Sequence, residues 1–309
     1  MEKKLDIRRL SIFLLFAFGI AWLTAWFIAR SGGIVNSPML VPGLRLRLAV
    51  VLIAVLYMSA PALANVFTRV TTREGWANTW LRPHLIHSWR SWLAVWMLVV
   101  LFIFLGTIAY YLVFPDQFDP QLTLLRQSVS SAGTTIDPWL LVGLQALQGI
   151  ILSAFINAPF TFGEEFGWRG YLLQKLLPLG PRRAILISGI IIGIWHWPVT
   201  AMGHNYGLNY PGFPMTGMLA MVWFTLVFGV LLSWAVLRAG SVWPAVIGHA
   251  VMNGLGVIGS LVSNGNTNPL LGPSPAGLIG SVAFTVFAVW VMLKPDTLSH
   301  TIPATTKID

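Results

Sequence analysis

The sequence predicts an all-α polytopic membrane protein, a bundle of about eight transmembrane helices. Three observations carry that reading. Of 309 residues, 56% are hydrophobic and only 9% are charged, where a soluble domain carries about 25% charged residues; the mean hydropathy is +0.75. Apolar runs of roughly 20 residues, the length that crosses the hydrocarbon, recur along the chain. And three polar islands interrupt the apolar pattern: Gly163-Glu164-Glu165-Phe166-Gly167-Trp168-Arg169-Gly170, Trp195-His196-Trp197-Pro198, and His249-Ala250-Val251-Met252-Asn253.

The expected spans, in chain order, are Leu10–Ala29, Leu48–Phe67, Ser91–Phe114, Trp139–Phe162, Ala184–Ala201, Thr216–Leu237, Val242–Ser263 and Ala276–Leu293. The first follows Lys3, Lys4, Arg8 and Arg9, as a signal peptide would. It is longer than a signal core of about 7–15 residues, and no small-residue cleavage site follows, so it reads as an uncleaved span. Pro115, Pro138 and Pro295 fall at helix ends, where proline is tolerated. Pro159, Pro198 and Pro244 fall in or near the spans with polar islands and predict local breaks, which a membrane allows where backbone lines a protein cavity. The stretch 264–275, rich in Asn, Gly and Pro, predicts a loop, and 295–309 a flexible tail. The whole chain, 1–309, reads as one membrane domain.

Lysine and arginine set the expected topology. With the N-terminus inside, only Arg30, Arg45, Arg47 and Arg126 of the 19 basic residues fall outside, and the segment from Pro115 to Pro138 carries Asp116, Asp119 and Asp137. That asymmetry predicts both termini in the cytoplasm, in the plasma (inner) membrane if the source is a bacterium. The formal charge of +9 is scattered over the loops between spans. It is explained by topology, and nucleic acid is excluded as a partner; the lipid bilayer is the expected surroundings. There is no cysteine, which excludes disulfides, thiolate metal sites and a cysteine nucleophile.

Ionisable groups at membrane depth cost about 2.5–3.5 kcal/mol each on insertion scales and mark functional sites by default. Glu165 and Arg169 are four residues apart and share a helix face, so they can pair; Glu164 points about 100° away, free to face a cavity. His196 sits about 18 Å along a helix from Ala184, and an interfacial Trp-His-Trp belt is the alternative reading of that segment. His249 and Asn253 share one face, and an interhelical hydrogen bond is their alternative. Together, two glutamates, two histidines and an asparagine are what amide hydrolysis needs. Glu164 would take a proton from water, a histidine would donate to the leaving amine, and His249 with Asn253 would polarise the scissile carbonyl. Glu164, His196 and His249 would equally suffice to hold a divalent metal such as zinc with an open position for water; the residues leave both routes open. Neither Gly-x-Ser-x-Gly nor His-Glu-x-x-His occurs, which argues against a serine hydrolase and against the common metalloprotease helix.

These motifs resemble the CPBP family of intramembrane metalloproteases, which includes the CAAX prenyl protease 2-like enzymes and the bacterial Abi-type proteins. Glu164-Glu165-Phe166-Gly167-Trp168-Arg169 corresponds to its Glu-Glu-x-x-x-Arg, His196 to its second motif with Ile192 where Phe is usual, and His249 to Asn253 to His-x-x-x-Asn. The resemblance covers 159–253, which would be the catalytic core. It implies a cytoplasm-facing intramembrane cavity, Glu164 as the base that activates water, Glu165 and Arg169 as support, and His196, His249 and Asn253 completing the site. It further implies an endopeptidase acting on a peptide or membrane-associated protein, with a prenylated C-terminus as one substrate class. A non-enzymatic scaffold or a bacteriocin-immunity protein on the same fold is the alternative.

Overall fold

The computed structural model describes residues 5–44, 46–133 and 135–298. It is an all-α helix bundle whose main helices are α1 (Ile7–Arg30), α2 (Leu48–Thr71), α3 (Leu85–Val113), α4 (Pro138–Ile156), α5 (Ala158–Gly167), α6 (Pro181–Trp195), α7 (Met215–Ala239), α8 (Trp243–Leu255) and α9 (Val282–Leu293). A short antiparallel hairpin, β1 (Met39–Val41) and β2 (Leu46–Arg47), lies between α1 and α2. Among the described residues six stretches are long and apolar enough to cross a membrane: α1, α2, α3, α4, α7 and Trp243–Leu261, which extends α8. The chain is an integral membrane protein.

The two remaining expected spans form shorter helices, each for its own reason. The fifth, α6, ends at Trp195 after 15 residues, because Pro198 offers no N–H to continue the ladder. The last, α9, begins at Val282 and has 12 residues. Residues 276–281 turn instead, because Gly280 packs backbone-to-backbone on α3: a Cβ on Gly106 would fall 1.8 Å from the Gly280 carbonyl oxygen. The expected fourth span divides at Asn157, just before Pro159, and α5 leaves on its own course with Pro159 in its first turn. Pro244 breaks nothing; it sits in the first turn of α8, where its missing N–H is not needed.

Local chemistry fixes the helix ends. Asp6 caps α1 by accepting from Arg9 N at 3.0 Å, and Asp137 caps α4 by accepting from Leu140 N at 3.1 Å. Each satisfies an orphan N–H and places negative charge at the positive end of the helix dipole. Helix α7 is the buried centre of the bundle, packed by α6, α3, α8 and α9.

The bundle has two distinct ends. One carries the first described residues, the α2–α3 connection, the α5–α6 connection and Lys294. There Glu74 accepts from Tyr171 Oη at 2.9 Å, pairs with Lys175, and lies 3.4 Å from Arg9 Nε and 3.9 Å from Arg69 Nη1. Arg182 binds the carbonyls of Met292 and Lys294 at 2.8 and 2.9 Å. The other end is built from the segments after α1, α3, α6 and α8. Tyr206 Oη donates to Ala276 O at 2.9 Å, and Asp119 N to Val262 O at 2.9 Å.

The expected tail is only partly described. Pro295–Thr297 forms a turn, Thr297 Oγ1 donates to Val291 O at 2.7 Å, and Leu298 is buried, so this part packs on the bundle. Residues 299–309, together with Lys3, Lys4 and Arg45, lie outside the described residues.

Candidate active site

The three polar islands converge. Glu164, Glu165 and Arg169, from α5 and the turn after it, His196 from the end of α6, and His249 and Asn253 from α8 all line one cavity of about 410 Å³. Helix α5 reaches the centre because small residues let it. A Cβ on Gly163 would fall 2.7 Å from the Met58 carbonyl oxygen, and one on Gly167 2.4 Å from that of Pro61. Thr161 Oγ1 ties α5 to α8 by donating to Val246 O at 3.0 Å. Asn65 Nδ2 ties it to α2 by donating to Phe166 O at 2.9 Å, while Arg69 Nε holds Asn65 Oδ1 at 2.7 Å. Directly after α5, Leu173 N bonds to Trp168 O, five residues back. Such a widened turn is rare and favours functional sites; here it carries Arg169 and Tyr171.

Glu165 is fully buried, and its Oε1 is bound from two sides. Arg169 Nη1 donates to its Oε1 at 2.9 Å and lies 2.9 Å from Oε2; His249 Nδ1 lies 2.8 Å from Oε1. The expected Glu165–Arg169 pair therefore forms, and His249 makes the interhelical bond that was the alternative reading of its face, with Glu165 as the partner the spacing did not reveal. A carboxylate beside a guanidinium accepts only, so His249 donates from Nδ1 and presents Nε2 to the cavity. Phe228 packs edge-on against the His249 ring at 5.9 Å and limits its rotation. Glu164, 4% exposed, forms no ion pair among the described residues.

His196 Nδ1 faces Ile192 O at 2.8 Å. A carbonyl only accepts, so here too Nδ1 carries the hydrogen and Nε2 is left for a ligand. Trp195 is no interfacial belt residue. It is fully buried, its Nε1 donates to Ala17 O at 3.2 Å, and its ring meets Tyr57 at 4.3 Å and Trp168 at 5.4 Å. The carbonyl freed where α6 stops accepts from both Tyr57 Oη and Trp22 Nε1, which fixes the helix end that carries His196.

Two titratable lining residues, Tyr57 and His204, escaped the sequence reading. Tyr57 lies in α2 as an isolated tyrosine in an apolar run; only the widened turn that closes with Met58 N on Ile53 O at 2.9 Å marks it. His204 follows α6 and stacks nearly parallel to His196, with ring centres 6.5 Å apart. A histidine eight residues after a motif carries no spacing signal.

Among the described residues no group of three or more His, Asp or Glu side chains is placed to hold a metal ion. Glu164, His196 and His249 thus share a cavity without meeting as a three-residue donor set for zinc. The cavity also occupies one half of the bundle. Beyond Arg169 its polar floor gives way to buried Trp168, Tyr171 and Leu172; its far wall is Asn205, Ser260, Ser274 and Ala276, at the end opposite Glu74 and Lys294.

A comparison with curated proteins finds no match. Residues 140–255 match the model of a family described as type II CAAX prenyl endopeptidase Rce1-like. The segment that supplies every residue of the polar floor is therefore Rce1-like, in agreement with the resemblance carried by its three motifs.

Proposed function

We propose that the protein is an intramembrane endopeptidase that hydrolyses a peptide bond with water activated by Glu164. The observation that carries this reading is the division of labour between adjacent carboxylates. Glu165 is committed to Arg169 and His249, whereas Glu164 lines the same cavity and forms no direct ion pair among the described residues. A carboxylate in that position can take a proton from water as its oxygen attacks the carbonyl carbon, and return it to the leaving nitrogen as the C–N bond breaks. The Asn253 amide N–H, and His249 Nε2–H when that ring is protonated, would donate to the oxyanion. His196, held by Ile192 O, would position water or the leaving amine through Nε2.

The test is cleavage of a peptide library, with prenylated CAAX peptides included, by the purified protein in detergent, read by mass spectrometry. Wild type should yield products that Glu164→Gln does not, and a chelator should leave the yield unchanged. Products from both proteins would remove Glu164 from the mechanism. Loss with chelator, restored by zinc, would put a metal into it.

A further inference from the structure

We infer that the cavity opens on the extracytoplasmic face of the membrane, so that its substrate is a peptide segment presented from that side and not a cytoplasmic C-terminal tail. The inference rests on the protease reading for the word substrate, but not for the sidedness.

Two independent observations meet. The first is geometric. The cavity floor is sealed toward the Glu74 end: Glu165 and Trp168 are fully buried, Arg169 is 5% exposed, and Tyr171 and Leu172 lie behind them without solvent access. Toward the other end the lining residues become exposed at Asn205, Asn253, Val257 and Ser260. The outermost wall is made by Ser274, Pro275 and Ala276, which the Tyr206 hydroxyl binds through the Ala276 carbonyl. Water and peptide therefore have their way in at the end away from Glu74, whichever way the bundle is inserted.

The second is the charge of the two ends. The sealed end carries Arg73, Arg82, Arg90, Arg182, Arg183 and Lys294 in or beside its connections, and the open end only Arg30, Arg47 and Arg126 among the described residues, with Asp116, Asp119 and Asp137 beside them. Short loops rich in Lys and Arg stay in the cytoplasm. The sealed end is thus the cytoplasmic one, and the mouth faces out. A prenylated tail made in the cytoplasm would meet the closed floor; an extracytoplasmic loop, a secreted peptide or a segment in the outer leaflet would meet the mouth.

The absence of cysteine makes the test direct. Ser260→Cys places a single thiol at the mouth with almost no change of shape, and Ala77→Cys places one at the exposed α2–α3 connection on the sealed end. Intact cells are treated with a membrane-impermeant maleimide, before and after permeabilisation. Ser260→Cys should take its label in intact cells, and Ala77→Cys only after permeabilisation. The reverse pattern would overturn the inference, as would a Ser260→Cys thiol that stays unlabelled in both states while Ala77→Cys reacts. A second arm uses wild type in sealed right-side-out and inside-out vesicles with externally added quenched peptides. Cutting confined to right-side-out vesicles, and lost in Glu164→Gln, supports the inference; cutting confined to inside-out vesicles overturns it. No cutting in either, with Ser260→Cys labelled from outside, would sink the protease reading and leave the sidedness standing.

Discussion

Glu165 Oε1 accepts from Arg169 at 2.9 Å and lies 2.8 Å from His249 Nδ1. One fully buried carboxylate thus fixes a guanidinium on its own helical path and an imidazole on another helix, 84 positions along the chain. The cavity wall is held in register by this bridge, and the neighbouring Glu164 forms no direct ion pair among the described residues.

Removing the guanidinium should be costly. Arg169→Ala strands a carboxylate that has no solvent exposure, and breaking a buried pair from one side costs about 3–5 kcal/mol. Melting in detergent should fall clearly below wild type, and turnover should fall with it as His249 loses its anchor. A variant as stable as wild type would argue against a buried pair.

Glu164→Gln should separate activity from stability. General-base catalysis contributes about 10²–10⁴-fold, so kcat should fall by that order. The variant exchanges a buried carboxylate that forms no direct ion pair for a neutral amide of the same shape, so it should melt at or above the wild-type temperature. Such an activity–stability exchange is expected at a catalytic group. A variant that loses activity and stability together would place Glu164 in the scaffold.

The approach of α5 to α2 should be intolerant of a single methyl group. In Gly167→Ala the new Cβ would lie 2.3 Å from Pro61 Cβ, and overpacking of this kind costs about 1–3 kcal/mol. It should also push Glu164 off station and lower kcat. Gly143→Ala, which meets nothing within 4 Å, is the control and should be neutral or slightly stabilising through helix propensity. Equal effects from the two would refute the close-packing argument.

Glu74 should make stability depend on pH at the sealed end. Partial burial pushes its carboxyl up, but hydrogen bonds from Lys175 and Tyr171 and the charges of Lys175 and Arg69 outweigh that and hold it below the usual carboxylate value. A depressed carboxylate stabilises the fold fully above its unfolded pKa, and that contribution is lost as pH falls through the lowered folded value. Wild type should therefore melt above Glu74→Gln near neutral pH, and the gap should close only below about pH 4, under the usual carboxylate range. A gap that is constant down to strongly acidic pH would show that the ionised carboxylate is not what matters.

Much of this was legible in the chain itself. Apolar runs of membrane length, proline positions and a few caps suffice for the spans, because a helix in lipid must satisfy its backbone internally and shows this as hydropathy. The six polar residues that line the cavity were legible because polar and ionisable groups are costly at that depth, and an i,i+4 spacing is enough for the Glu165–Arg169 pair. What needed the tertiary structure was everything that depends on which helices touch. The bond from His249 to Glu165, the place of Tyr57 and His204 in the lining, and the shortening of α9 arise from contacts between segments distant in sequence. Sequence likewise could not say which end of the bundle is sealed. Hydropathy and charge order the spans across the membrane, but whether Trp168, Tyr171 and Leu172 plug one end while Asn205 and Ser260 leave the other open is decided by packing between helices, on which periodicity is silent.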